Sequence, residues 1–138
     1  MFDVDHVSFS VKELDKSIEF YEVFGFEVIK RYESDTKDLR LVLMKSKSNM
    51  YIDLFNYTNP KDIPNSALNL ETDLPVIGTK HMGLRVKDIE AAKDFVLEKN
   101  LATEITINEG RLGRKYFFVQ DPNGILIEII EEKCQSIE

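Results

Sequence analysis

The chain repeats itself at an interval of 75 residues, and this repeat limits the folds open to it more than any other feature. DHVSFSVKELDKSIEFYE, starting at Asp5, lies over KHMGLRVKDIEAAKDFVLE, starting at Lys80, with Val11 over Val86, Leu14 over Ile89 and Phe20 over Phe95. The alignment continues without a gap until YIDLF from Tyr51 falls over LIEII from Leu126. Self-similarity at a fixed period marks one supersecondary unit used more than once. Two copies account for nearly all of the 138 residues, which is one domain's worth of chain.

The repeat also pairs the chemistry. The chain has two histidines, His6 and His81, and they occupy the same repeat position. Asp53 and Glu128 likewise coincide, each in the last strand-like run of its copy. Side chains alternate between the two faces of a strand, so Glu128 shares its face with Leu126 and Ile130, and Asp53 shares its face with Tyr51 and Phe55. A carboxylate in apolar company must be paired, metal-bound or protonated. For a lone Glu, an edge strand reaching solvent is the plainer reading, as a structural role is for a lone His. The repeat reverses that order, because two His and two carboxylates at matched positions form a plausible four-ligand metal set.

Periodicity places these residues on elements. Residues 4–11 alternate, with Val7, Phe9 and Val11 on one face and His6, Ser8 and Ser10 on the other. Residues 13–24 carry Leu14, Ile18, Tyr21 and Phe24 at helical spacing, with Gly25 as a stop. Strands are predicted over 27–32, 39–44 and 50–57. The second copy follows the same plan: a strand over 80–86, with His81, Gly83 and Arg85 on one face; a helix from an N-cap at Asp88 to about Lys99; and strands over 103–107, 116–120 and 125–130. The last strand follows the turn Asp121-Pro122-Asn123-Gly124. Residues 58–79 hold three of the four prolines and resist assignment; a connection this long is a lid, an arm to a partner or a passive tether. Arg111, Arg114 and Lys115 read as solvated charges on a mobile turn able to close over an anion.

A net charge of −7, without a run of Lys or Arg, argues against nucleic acid, and no apolar run reaches membrane-spanning length. The single cysteine, Cys134, fits a reducing cytoplasm and has no assigned role.

Strand, helix and three strands, done twice, resembles the βαβββ module of the vicinal oxygen chelate superfamily, which includes glyoxalase I, the bleomycin-resistance proteins and extradiol dioxygenases. The resemblance rests on DHVSFSVKELDKSIEFYE, IDLFNY, KHMGLRVKD and DPNGILIEIIEE, in that order and spacing. It implies an α+β fold of two tandem modules (residues 3–57 and 80–132) forming a half-open mixed β-barrel with the helices outside. It further implies one divalent ion (Zn, Ni, Co, Mn or Fe) held by His6, Asp53, His81 and Glu128.

By the same resemblance the activity would be that of a glyoxalase I-type lyase or isomerase working through a metal-bound enediolate. Glu128 would be the base and Asp53 its partner, although Glu is commoner than Asp at the latter position in glyoxalase I. Ser10, where glutathione users tend to carry arginine, Phe55, Arg85 and Arg114 are the candidate contacts for a small-molecule substrate, in the form of a thiol adduct. Family members commonly form homodimers. Three alternatives stand beside this one: a 2-His-1-carboxylate iron dioxygenase using His6, His81 and Glu128, a fosfomycin-type transferase, and a drug-binding protein without catalysis.

Overall fold

A computed structural model describes residues 1–132. It divides into two compact units, Met1–Ile63 and the chain from Pro64 on, and each holds one four-stranded mixed sheet. In the first, β1 (His6–Ser10) leads to α1 (Leu14–Val23) and then to β2 (Phe26–Glu33), β3 (Leu39–Ser46) and β4 (Tyr51–Tyr57). In the second, a 3-10 turn at Asn65–Leu68 and the single-turn helix α2 (Leu70–Asp73) precede β5 (Met82–Val86), α3 (Ile89–Glu98), β6 (Asn108–Glu109), β7 (Lys115–Gln120) and β8 (Leu126–Glu131). The sheet orders are β1-β4-β3-β2 and β5-β8-β7-β6, so βαβββ is present twice, and neither sheet closes on itself.

The copies agree to the residue. β1 runs parallel to β4 with Ser8 opposite Asp53, and β5 runs parallel to β8 with Gly83 opposite Glu128. On the other side, Leu43 of β3 faces Asp53 and Phe118 of β7 faces Glu128. Each of these pairs is its counterpart displaced by the repeat interval, so the sequence match fixes register as well as topology.

Alternation decides which face is covered. Phe9 of β1, Val11 just after it, Val42 and Met44 of β3, and Ile52 and Leu54 of β4 are buried on the α1 side, where Tyr21 stacks on Phe9 with ring centroids 5.5 Å apart. Phe117, Val119, Ile127 and Ile129 do the same in the second unit with Ile89 and Val96 of α3. Each such side chain contributes about 1.5–3 kcal/mol by leaving water. The opposite faces carry the polar set, as the alternation predicts.

The helices stop in the same way. The residue after the C-cap region is left-handed in both copies: Gly25 at φ 93° and Asn100 at φ 58°. Their amides return to Glu22 O at 3.0 Å and Leu97 O at 3.1 Å. The turns into β4 and β8 also match. Asp121, buried, accepts from the amides of Asn123 at 2.8 Å and Ile125 at 2.9 Å, while in the first unit Ser46 Oγ accepts from the Met50 amide at 3.0 Å. Asp88 caps α3 through the Ala91 amide at 3.0 Å, as expected; Glu13 gives α1 no such bond.

One expectation needs correction. Residues 103–107 form no strand, because β7 pairs with its neighbour only at Asn108 and Glu109. The alternation there is real, with Ile105 and Ile107 half-buried, but it records a covered face and not a ladder. Of residues 58–79, which sequence leaves unassigned, those from Pro64 on belong to the second unit. Lys80 Nζ holds the segment through Asp73 O at 2.7 Å and Asp73 Oδ1 at 3.3 Å, together with Val76 O, and Gln120 Nε2 donates to Leu68 O at 3.0 Å. No helix of the described residues is long and apolar enough to cross a membrane. Cys134 lies outside the described residues.

Candidate functional site

In the first unit, His6, Ser8 and Ser10 share a face with Tyr51, Asp53 and Phe55, as the register of β1 against β4 requires. The ring of His6 reaches Asp53, with Nε2 3.3 Å from Oδ2, and Ser8 Oγ donates to the same oxygen at 3.3 Å. Asp5 Oδ2 lies 2.7 Å from His6 Nδ1 on the far side of the ring. His6 thus stands between two carboxylates. Its pKa is raised above the ordinary imidazole value, first by the hydrogen bond its ring donates to Asp5 and then by the charge of Asp53.

In the second unit, His81 immediately precedes β5 and its Nε2 lies 3.3 Å from Glu128 Oε1. The imidazole is more enclosed, the His81 side chain being 20% exposed against 41% for His6, while the acids are alike, Glu128 at 19% and Asp53 at 18%. Phe118, opposite Glu128, meets the His81 ring edge to face at 4.9 Å. His81 Nδ1 is buried with no hydrogen-bond partner among the described residues. Gly83 stands where the first unit has Ser8. An added methyl would sit an ordinary 3.7 Å from Glu128 Oε1, so glycine is not sterically demanded; it leaves Glu128 without the hydroxyl that Asp53 has.

The donor sets suit a divalent ion. Two ligands each about 2.1 Å from one ion stand roughly 3.0–3.4 Å apart in octahedral or tetrahedral arrangements. Both imidazole–carboxylate pairs have that spacing. Two nitrogens and two carboxylates match the preferences of Zn, Mn, Fe, Co and Ni. Among the described residues no group of three or more His, Cys, Asp or Glu is disposed around one point, so each unit presents two candidate ligands.

The expected substrate contacts differ in standing. Ser10, exposed, lies opposite the half-buried Phe55 on the His6 face. Arg85, exposed, lies opposite Ile130 on the Glu128 face and makes no ion pair among the described residues. Arg114 is not a solvated charge on a mobile turn: its Nε donates to Glu131 O at 2.9 Å, which fixes it against β8.

Three residues at the pairs escaped sequence reasoning. Asp5 and Ser8 precede and follow His6, and Phe118 faces Glu128. The repeat itself held the signal for the first two, since it sets Asp5 against Lys80 and Ser8 against Gly83, polar differences beside conserved spacing. Phe118 is fixed by cross-strand register, which only the fold supplies.

The sequence model of the Glyoxalase/Bleomycin resistance protein/Dioxygenase superfamily matches residues 3–129. The lactoylglutathione lyase of Schizosaccharomyces pombe is 25% identical over 146 aligned positions, covering 95% of this chain and 48% of that enzyme, so the chain spans about half its length. Among solved structures, SMU.1112c is similar at TM-score 0.74 and 24% identity, covering 95% of this chain and 99% of that one. Glyoxalase I of Leishmania major, described as trypanothione-dependent, superposes at TM-score 0.69 and 21% identity, covering 96% of this chain and 88% of that one.

Proposed function

The chain belongs to the Glyoxalase/Bleomycin resistance protein/Dioxygenase superfamily, and from that premise we propose that it is a divalent-metal-dependent isomerase of the glyoxalase I (lactoylglutathione lyase) type. The observation that carries the reading is the pairing of an imidazole with a carboxylate at 3.3 Å in both units, at one repeat position. His6, Asp53, His81 and Glu128 would hold the ion. When bound, such an ion supplies Lewis acidity to two adjacent substrate oxygens and makes the neighbouring carbon acidic.

The remaining work falls to side chains. Glu128, four-fifths buried beside Phe118 and held 3.3 Å from His81, is the group to accept the proton from the first carbon and deliver it to the next. Asp53 is shorter by one methylene and is held by both His6 and Ser8, which suits it to stay in place while Glu128 moves a proton. Phe55 gives an apolar surface beside Ser10, and Arg85 and Arg114 supply cations for a substrate carboxylate. The substrate class is the hemithioacetal of a 2-oxoaldehyde and a small thiol, the product its thioester isomer. The chain would work as a cytoplasmic homodimer.

The test is turnover of such hemithioacetals, read as thioester formation, by purified protein loaded with Zn, Ni, Co, Mn or Fe in turn. Turnover with at least one combination, lost in Glu128→Gln, is expected. Absence of turnover with every metal and thiol, while the protein still bound a planar drug, would replace this reading by that of a sequestering protein.

A further inference from the structure

The first unit carries a second polar feature that the histidine pairs do not use. A cavity of about 450 Å³ opens at the β2–β3 hairpin, walled by Leu14, Tyr32 and Val42 and rimmed by Arg31, Glu33 and Arg40. A neighbouring cavity of about 390 Å³ shares Glu33 and Arg40. Register divides the lining: Arg31, Glu33, Arg40 and Val42 lie on the face opposite Asp53, whereas Tyr32 and Leu41 share the parity of Phe55 and Asp53. Arg40 lies opposite Glu33 on one side and opposite Asn56 on the other, and Asn56 has the parity in β4 opposite to that of Asp53.

Arg40 is held by a neutral group. Its Nε and one terminal nitrogen both donate to Asn56 Oδ1, at 3.2 and 2.8 Å. Asn56 is itself 6% exposed and anchored, its Nδ2 donating to Val11 O at 3.0 Å and Lys12 O at 3.1 Å. A buried amide thus orients the guanidinium without neutralising it. Glu33, the acid at the rim, pairs instead with Lys37 at 3.0 Å. Neither Arg31 nor Arg40 makes an ion pair with any carboxylate of the described residues, in a chain where 25 acids outnumber 18 Lys and Arg. Two guanidinium groups that make no ion pair among the described residues, one of them pre-oriented by a neutral amide, offer an oxyanion paired N–H donors at one cavity, with Glu33 across the ladder from Arg40 as the opposing charge.

We propose that this cavity binds a small organic oxyanion, a carboxylate or phosphate monoester, with its head on Arg40 and Arg31 and its apolar body on the exposed Tyr32 of the edge strand β2. The net charge of −7 opposes anions at long range, so affinity comes from short charge-assisted contacts at the two guanidinium groups. Those two groups stand apart from the metal reading, being on the face of the sheet opposite Asp53.

The experiment is calorimetric titration of the full-length protein with phenyl phosphate and benzoate, with inorganic phosphate as the head alone and phenol as the body alone. Saturable binding of the aryl anions, weaker binding of phosphate and none of phenol are expected. Arg40→Gln should weaken phenyl phosphate about 10- to 100-fold, the scale of losing charge-assisted bonds. Arg40→Lys should restore only part of it. Arg31→Gln should also weaken binding, and it carries the test if loss of the Asn56 contact unfolds Arg40→Gln, as circular dichroism would reveal. His6→Ala should leave the affinity unchanged. No saturation by either aryl anion, affinity unaffected by either arginine substitution, or loss in His6→Ala would each overturn the proposal, the last by moving the anion to the histidine face.

Discussion

The two imidazole–carboxylate pairs share one backbone register and one spacing, yet their surroundings differ. His6 sits half in solvent with a carboxylate on each ring nitrogen, and its acid also takes a hydroxyl from Ser8. His81 sits enclosed against Phe118, with one ring nitrogen facing Glu128 and the other unpartnered and buried. The first pair is a tethered, charged cluster and the second is a single contact beside one aromatic ring. The repeat keeps where the paired side chains stand, and the residues around them differ. On the proposed function the first pair would anchor the ion and the second would move the proton.

Substituting the acids is the severest way to break that asymmetry. Glu128→Gln should lower kcat about 10²- to 10⁴-fold, the range for loss of a general base. Asp53→Asn should act mainly through metal affinity and recover part of its rate at saturating metal. Equal losses, unrelieved by metal, would make the two pairs interchangeable.

Next in size is Asp5→Asn. A carboxylate that orients a metal-binding imidazole is worth about 10- to 100-fold in affinity, and among the described residues only the first pair has one, so this variant should weaken metal by that factor in a competition assay. An unchanged affinity would show Asp5 to be a surface partner alone.

The turns sharpen the comparison at the level of stability. Asp121→Ala removes a buried acceptor of two amides and the Asn123 side chain, and should cost about 1–3 kcal/mol in denaturant unfolding, against about 1 kcal/mol for Ser46→Ala. Gly25→Ala should cost about 1–2 kcal/mol, because its φ of 93° is left-handed, while Asn100→Gly should be nearly neutral.

The smallest effect is on pH. His6 has a raised folded-state pKa, so its pairs stabilise the metal-free fold fully below the ordinary imidazole value of about 6.5 and lose that contribution as pH rises through the folded value. An NMR titration should place the His6 midpoint above that of a free imidazole, and Asp5→Asn should move it down. A midpoint at or below the ordinary value would contradict the hydrogen bond from His6 to Asp5.

Much of this was legible in the chain. The repeat fixed the βαβββ pairs and the register, because a gapless match through strand, helix and turn leaves no room for slippage. Parity placed His6, Asp53, His81 and Glu128 on polar faces for the same reason. What the sequence hid was pairing that depends on a neighbour's length. Residues 103–107 alternate like a strand, yet β7 reaches only Asn108 and Glu109. Arg114 reads as a free turn charge until Glu131 O is found beside it. Asn56 and Arg40 meet only across a ladder, and no local pattern announces a guanidinium held by a buried amide.

Metal stoichiometry tests the central claim most directly. Elemental analysis of the purified protein beside His6→Ala and His81→Ala should give about one divalent ion per chain, falling to a small fraction in both variants, since each histidine contributes to the same ligand set. A full equivalent retained after loss of either histidine, or none taken up by the unaltered protein after exposure to each ion, would contradict it.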